Sequence, residues 1–588
     1  MPLTEEKTLI KVLKHLRPVA GTVALSILFV VFVQVLSLAL PLLMSLIINN
    51  GIAAGNMEYI KRAGLIMAAV SALNILISVL SSYFTSKTSA AYGKIMREKI
   101  FLKVESLSHS DIEHIGTPSL ITRCTNDVKV LQDFLLQGMR MILAAPVMLV
   151  GGTVMAFVLN AKLAMIVFAI IPIIALICFV VVKIVMPLFK KRQKLTDEVN
   201  SFLREKLSGI RVIRAFNTTE KEDERFEDKN RRLSALVLRF QRTMSVILPL
   251  CITLVITALV LLVFIASKNI DAMTDAVKIQ NTVGDLQAFL LYMMMIVFAV
   301  TIAAAMFVIV PRANISAKRI NEVLEIEPGI KDCEDTQDII PEKRGTVAFE
   351  NVTFGYEDAA PVLKNISFTA EKGQVTAIIG STGSGKSTLV SLIARFYDVT
   401  GGCVLFDGTD VRKLPQKTLH SLIGYVPQKA SLFSGSVREN LLYGDENATE
   451  ERLRLALDIS QSSEFVDKLP DGLESRISQS GTNLSGGQKQ RLSIARALVR
   501  QADVYIFDDS FSALDFRTDA RVRKAIREKL NATVIIVAQR VGTIIDADKI
   551  VVLDEGEICG IGTHDALLSS CPVYREIAQS QLTKEALS

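Results

Sequence analysis

The chain has 588 residues, half of them hydrophobic and only 21% charged, with a mean hydropathy of +0.38. That length corresponds to about four domain-sized units, and that balance excludes a disordered or fibrous chain and argues against an ordinary soluble enzyme. The net charge of +6, from 66 basic and 60 acidic residues, is too small to point to nucleic acid, and the seven cysteines and five histidines form no C-x-x-C or H-x-x-x-H pair, so neither a disulfide frame nor a metal-ligand cluster is expected.

Residues 1–17 form a basic segment carrying Lys7, Lys11, Lys14 and Arg17. Six stretches without a charged residue follow, at 18–57, 63–86, 141–161, 163–182, 243–267 and 286–311. Each reaches the roughly 20 residues that a helix needs to cross about 30 Å of hydrocarbon. One such stretch would pass as a buried core helix; six are expected to be membrane spans. The first is far longer than the apolar core of about 7–15 residues in a cleavable signal peptide.

The long connections 87–140 and 183–242 are rich in basic residues such as Arg97, Arg123, Lys190 and Arg211, whereas the alternate connections are short or mixed in sign. The positive-inside bias therefore puts the long loops and both termini on the cytoplasmic face of the cell membrane. Apolar residues at helical spacing (Ile95, Ile100, Val104) predict that the spans run on into the cytoplasm. Breakers at 111–118 and 216–220 (Gly116, Pro118, Asn217, Thr218) predict a short helix at each loop tip, with a cytoplasmic partner to touch.

Residues 18–311 are thus expected to form a six-span α-helical membrane domain, 312–345 a charged linker with Pro328, Gly329 and Pro341, and 346–588 a soluble domain. In that last part short β-branched runs at 374–379, 504–507, 533–537 and 549–553 alternate with helical patterns. Near-continuous apolar strands of this kind predict an α/β domain on a parallel sheet buried on both faces.

The run 374–379 leads into Gly380, Ser381, Thr382, Gly383, Ser384, Gly385, Lys386 and Ser387, with a helix expected from Thr388. This is the strand–G-x-x-x-x-G-K-[ST]–helix P-loop in its required context. The glycines let backbone N–H groups curl around a phosphate, and the helix N-terminus adds its positive dipole end. Lys386 would neutralise the β- and γ-oxygens of a nucleoside triphosphate and the Ser387 hydroxyl would ligate Mg²⁺. The strand 504–507 ends in Asp508 and Asp509; an acid there lies at the crevice beside the phosphate loop, which makes Asp508 the natural Mg²⁺ partner of Ser387.

Between these motifs stands Leu484-Ser485-Gly486-Gly487-Gln488, which resembles the signature motif of ATP-binding-cassette (ABC) proteins. Other family elements occur in order: Tyr356 resembles the aromatic that stacks on adenine, Gln428 the Q-loop glutamine, and Ser512-Ala-Leu-Asp515 the D-loop. Six spans with long cytoplasmic loops followed by one cassette resemble an exporter half-transporter, over nearly the whole chain. The resemblance implies ATP and Mg²⁺ as ligands, Gln428 among both the metal and the catalytic residues, and head-to-tail pairing. In that pairing Ser485, Gly486, Gly487 and Gln488 complete the site of a second half-transporter subunit.

Two positions depart from the family pattern. The residue after the Mg²⁺ aspartate is usually Glu, the base that polarises water; here it is Asp509. Losing one methylene retracts the carboxylate by roughly 1.5 Å, and misplacement of about 1 Å can cost around a hundredfold. Where the family usually has His before Arg540 stands Gln539, which hydrogen-bonds but does not become cationic. Gln479, before the signature, stands where many exporters carry an acid. These departures resemble the degenerate-site subunit of bacterial heterodimeric multidrug exporters, a chain that binds ATP and hydrolyses it poorly. A homodimeric lipid flippase, an exporter-fold importer and an ATP-sensing regulatory subunit carry the same motifs and stay open at this point.

No span holds an ionisable residue between its ends, so ATP is the expected energy source. Gln34, Asn49, Asn50, Asn74, Gln287, Thr301 and the methionines 293–295 with Met306 are candidate cavity residues for a small hydrophobic cargo. Helix packing is the plainer role for the methionines.

Overall fold

The computed structural model describes residues 3–159, 161–271, 276–333, 335, 337–356 and 360–581. These fall into two compact units, one of residues 1–106 and 115–326, the other of 107–114 and 327–588.

The first unit is helical. Its long helices are Ala20–Leu46, Met57–Glu105, Val128–Leu159, Ala161–Ser208, Thr219–Asp271 and Ala276–Glu325. Among the described residues four stretches are long and apolar enough to cross a membrane: Thr8–Ile52, Met57–Glu105, Thr117–Leu159 and Gly284–Ala303. The expected spans 163–182 and 243–267 fall on the helices Ala161–Ser208 and Thr219–Asp271, part of whose side chains lie outside the described residues. Helices of 48 to 53 residues exceed the roughly 20 that a bilayer needs, as the helical spacing beyond the spans predicts.

Local chemistry sets the ends of these elements. The first span runs on through a π-turn, Ile47–Ile52, and ends there, short of residue 57, as Gly55 turns the chain at φ 65°. Asn56 then caps the next helix by accepting from the Tyr59 amide at 3.0 Å. At the first loop tip lie the short helices His109–Ile115 and Thr117–Thr122, broken by Gly116 at φ 82°. At the second, the short helix is Ile210–Ala215, just before the breakers. Residues 312–325, read from sequence as linker, continue the helix Ala276–Glu325. Buried Ala313, Ala317, Ile320 and Val323 give that segment an apolar face at helical spacing.

Inside this unit many Ser and Thr hydroxyls donate back within their own helix, as Ser37 does to the Val33 carbonyl at 2.8 Å, and other polar groups join helices. Asn74 donates to Ser37 at 3.2 Å, Tyr292 to the Leu38 carbonyl at 2.8 Å, and Ser26 lies 3.3 Å from Thr88. Met293 packs with Ala156, Phe289 and Ile296, while Met294 is exposed. Asp285, which the sequence reading left just outside the last span, lies inside the helix Ala276–Glu325. Its Oδ1 accepts from Ser45 at 2.9 Å and Asn49 at 3.1 Å. The apolar stretch Gly284–Ala303 thus begins two residues before the charge-free run, because a carboxylate with two polar partners is tolerated at its edge.

The second unit contains strands β1 (Val347–Phe354), β2 (Leu363–Ala370), β3 (Val375–Gly380), β4 (Gly401–Phe406), β5 (Thr409–Asp410), β6 (Ile423–Val426), β7 (Gly435–Ser436), β8 (Arg476–Ile477), β9 (Val504–Asp508), β10 (Thr533–Val537), β11 (Lys549–Asp554) and β12 (Glu557–Gly562). The main sheet has the order β12-β11-β3-β10-β9-β6 and is parallel except for β12. Both its faces are buried: Ala377 and Ile379 belong to one apolar cluster and Ile378 to the other, as do Tyr505 and Phe507 against Val504 and Ile506. Each of the Val, Ile and Phe side chains among them contributes about 1.5–3 kcal/mol when fully buried. A second, antiparallel sheet, β2-β1-β4-β5, was not anticipated. Its signal is the alternation in β1, where Val347, Phe349, Val352 and Phe354 are buried, interrupted by a bulge at Asn351 (φ 47°).

Candidate functional site

The parallel pairing puts the carboxyl ends of β3, β9 and β10 side by side, with Gly380 opposite Leu553 and Asp508 opposite Val537. The phosphate-loop candidates thus meet the acids at the rim of one sheet, where open α/β sheets bind ligands.

The loop after β3 turns through Gly383 at φ 88° and Gly385 at φ 96° before the helix Lys386–Ile393. At Gly385 any larger residue would be strained by that φ, and its Cβ would stand 2.7 Å from the Leu363 side chain. Lys386, only 8% exposed, curls over the loop and donates to the carbonyls of Gly380 at 2.9 Å and Ser381 at 2.6 Å and, at 3.4 Å, to Ser384 Oγ. Burial pulls its ammonium below the usual lysine range, and the charges of Asp509 and Asp508 pull it back in part.

Ser387 Oγ donates to Asp508 Oδ1 at 2.9 Å, and the Tyr425 hydroxyl approaches Oδ2 at 3.5 Å. Asp508 is 5% exposed; burial holds its carboxyl above the ordinary range, the Ser387 hydrogen bond lowers it and the neighbouring Asp509 raises it. A hydroxyl and a carboxylate side by side at the phosphate loop are hard oxygen donors of the type Mg²⁺ takes in small number, with phosphate and water completing its shell. No cluster of three or more His, Cys, Asp or Glu that would hold a metal by itself occurs among the described residues.

Asp509 sits in the left-handed region at φ 45°, which Asp tolerates better than most residues. Its Oδ2 accepts from Gln428 Nε2 at 3.2 Å and from Gln539 Nε2 at 2.8 Å, and Ser512 Oγ donates to its backbone carbonyl at 2.9 Å. Burial raises its pKa, with the Gln428 hydrogen bond and the Lys386 charge acting the other way. The structure thus joins Asp509, Gln428 and Gln539 into one cluster, with Gln428 bonded to Asp509.

Tyr356 Oη lies 2.9 Å from Thr388 Oγ1, which ties the aromatic to the first turn of the P-loop helix. The signature stands apart in its bonding. Ser485 caps the helix Gly486–Val499 and forms a capping box with Gln488, the amide of each bonded to the side chain of the other at 2.8 and 3.3 Å. Ser485 and Gly486 are exposed, and a Cβ added to Gly486 would meet nothing within 4 Å. A helix start leaves its first backbone N–H groups without partners inside the helix, and the capping box takes up only those of Ser485 and Gln488. Asp515 caps the helix Phe516–Lys529 through Thr518 N at 3.0 Å. The sequence reading did not place Tyr425 in the site; its hydroxyl reaches Asp508 from β6, and only the pairing of β6 with β9 brings it there.

Residues 23–300 match the family described as ABC transporter transmembrane region, and residues 363–512 the family described as ABC transporter. The chain is 39% identical to an uncharacterized ABC transporter ATP-binding protein of Mycobacterium tuberculosis, covering 97% of each. It is 34% identical to one of Bacillus subtilis, covering 98% of this chain and 99% of that one. It is also 32% identical to a multidrug efflux ATP-binding/permease protein of M. tuberculosis, over 92% of this chain and 45% of that protein. The fold is similar to that of a bacterial Atm1-family ABC exporter solved with ATP bound, with a TM-score of 0.79 at 23% identity, over 97% of this chain and 99% of that one.

Proposed function

Because the chain belongs to the ABC transporter family, its transmembrane region and ABC ATPase domain joined in one polypeptide, we propose that it is one half of a heterodimeric, multidrug-type exporter of hydrophobic or amphipathic compounds at the cell membrane. The observation that carries this reading is the cluster at Asp509. The position of the catalytic base holds a carboxylate one methylene short, and the position of the switch histidine holds Gln539, bonded to it at 2.8 Å.

ATP would lie along Gly380–Thr388, its base against Tyr356 and its phosphates against the loop amides and Lys386. Ser387 and Asp508, with Gln428 from the Q-loop, would hold Mg²⁺, which when bound offsets the charge of the β- and γ-phosphates. Asp509 would orient water only weakly: its oxygen Oδ2 already accepts from two amides, and neither amide can take up a proton as an imidazole can. ATP bound here would therefore persist and hold the two cassettes together. The exposed Ser485–Gln488 turn would complete the partner's site, where a helix N-terminus faces a phosphate. The multidrug efflux relative supports the cargo class, and its greater length, of which this chain spans 45%, is in keeping with a half that works beside another.

The test is ATPase and vesicle transport for the purified chain alone, the partner subunit alone and the mixture. Turnover and transport are expected only in the mixture. Full exporter-rate hydrolysis by this chain alone would overturn the degenerate-site reading in favour of a homodimer. Full transport by the partner alone, modulated by this chain, would make it a regulatory subunit.

A further inference from the structure

The tip of the first long loop, residues 107–114, is part of the same compact unit as the cassette. Asp111 Oδ2 anchors it, accepting from the Gly329 amide at 3.2 Å and the Ser108 amide at 2.9 Å. Beside it is a cavity of about 460 Å³ whose lining includes Ser110, Glu113, His114, Tyr356, Tyr397 and Asp398, a volume within the roughly 300–1,000 Å³ of small-molecule sites. Its aromatic wall is built at right angles: the Tyr356 and Tyr397 rings stand 5.2 Å apart at 90°, and Phe354 meets Tyr356 edge-on at 5.0 Å.

The cavity therefore begins at the ring that is tied to Thr388 and the phosphate loop. Two carboxylates line it. Glu113 Oε2 accepts from the Tyr397 hydroxyl at 3.2 Å, and Asp398 is held by Arg395 at 2.9 Å. An ionised carboxylate accepts and never donates. Adenine offers an amino donor at the ring position where guanine offers a carbonyl acceptor.

We infer that Glu113 reads the nucleobase: from the loop tip its carboxylate accepts a hydrogen bond from the exocyclic amine of an adenine stacked on Tyr356, and it repels the O6 of guanine. This rests on the ATP-site reading above. It makes a residue of the membrane half's own loop a determinant of ATP over GTP, in a segment covalently continuous with the helix Met57–Glu105. The plainer role for Glu113 is its exposed pair with His109 at 3.5 Å; such pairs are worth little and carry no base preference.

The test is equilibrium binding of Mg·ATP and Mg·GTP to the full-length chain in lipid nanodiscs, by competition with a fluorescent adenine nucleotide. Wild type is expected to prefer ATP by about tenfold, and Glu113→Gln and Glu113→Ala to narrow that preference to about twofold, as for loss of one charge-assisted hydrogen bond. His109→Ala, which removes the surface pair and an edge-on ring contact with Tyr397 at 5.9 Å but leaves the Glu113 carboxylate in place, is expected to keep the full preference. ATP bound normally with an unchanged preference in both Glu113 variants, or ATP and GTP weakened equally, would overturn the inference. Failure of wild type to bind either nucleotide would instead overturn the ATP-site reading beneath it.

Discussion

The side-chain amide of Gln539 donates a 2.8 Å hydrogen bond to Asp509 Oδ2, the same oxygen that accepts from Gln428 at 3.2 Å. In the proposed reading, a carboxylate so engaged, and one methylene shorter than the family's glutamate, activates water poorly. Asp509→Glu with Gln539→His restores both reach and a titratable partner. With the partner subunit's own base disabled, the double variant is expected to raise ATP turnover at this site by about a hundredfold, the scale of a 1 Å correction. Asp509→Glu alone is expected to give less, since Gln539 would still hold the new carboxylate. Single-turnover hydrolysis of radiolabelled ATP reads both, and no gain in the double variant would remove this account of the weak site.

Lys386 is held by the carbonyls of Gly380 and Ser381, which places a desolvated positive charge inside the loop. Lys386→Ala removes that charge and is expected to weaken Mg·ATP binding by at least tenfold, as for loss of a charge-assisted contact of about 1.5–3 kcal/mol. Calorimetric titration of the full-length chain measures it. Equal affinity in the variant would show that the loop amides alone carry the phosphates.

Ser485 has two separable roles, the cap of its helix and the proposed contact with the partner's nucleotide. Ser485→Ala loses the cap, worth about 1 kcal/mol, whereas Ser485→Asp keeps a good N-cap and adds negative charge. Both are expected to cut ATPase of the mixed pair more than tenfold, a size in keeping with the loss of one well-placed donor. Mg·ATP affinity of this chain alone should not change, and only Ser485→Ala should lower its melting temperature. Full activity with Ser485→Asp would exclude a phosphate at this turn.

The sequence made the phosphate loop, Asp508 and the parallel strands legible, because those depend on local patterns: Gly385 at a left-handed position, an apolar strand, an acid at its end. It made the long helices legible through charge-free runs. What it concealed were relationships set by pairing. Nothing local tells that Gln428, 81 residues before Asp509, shares its carboxylate with Gln539. The sequence called for a cytoplasmic partner at this loop tip but did not tell that residues 107–114 join the cassette's unit, since their contacts lie more than 200 residues away at Gly329 and Tyr397. The antiparallel sheet was obscured because bulges at Asn351 and Asn365 (φ 47° and 50°) break its alternation.

Asp285 joins the helices Ala276–Glu325 and Ala20–Leu46 through Ser45, which is 1% exposed, with Asn49 in the adjoining π-turn. Asp285→Ala would strand the buried Ser45 hydroxyl at a cost of about 1–3 kcal/mol, whereas Asp285→Asn keeps an acceptor. Thermal unfolding in detergent is expected to fall by several degrees for Ala and much less for Asn. Equal losses in both would mean that the charge, and not the hydrogen bonds, holds this corner.

Asp407 is fully buried, with Oδ1 accepting from the Gly345 amide at 2.6 Å and the Thr346 amide at 3.1 Å. Its Oδ2 has no hydrogen-bond partner among the described residues. Burial raises its pKa above the ordinary 3.8 despite those two amides; Asp503 adds to the rise and Arg344 opposes it. Between 3.8 and the raised value the folded protein holds more protons here than the unfolded chain. The unfolding free energy therefore falls as pH rises through that window, and the penalty is complete above the folded pKa. Asp407→Asn keeps an acceptor for the two amides and has no proton to lose. Its melting temperature relative to wild type is therefore expected to climb as pH goes from about 4 to about 7, and scanning fluorimetry of both proteins across that range reads the difference. Parallel curves would show that Asp407 keeps an ordinary pKa despite its burial.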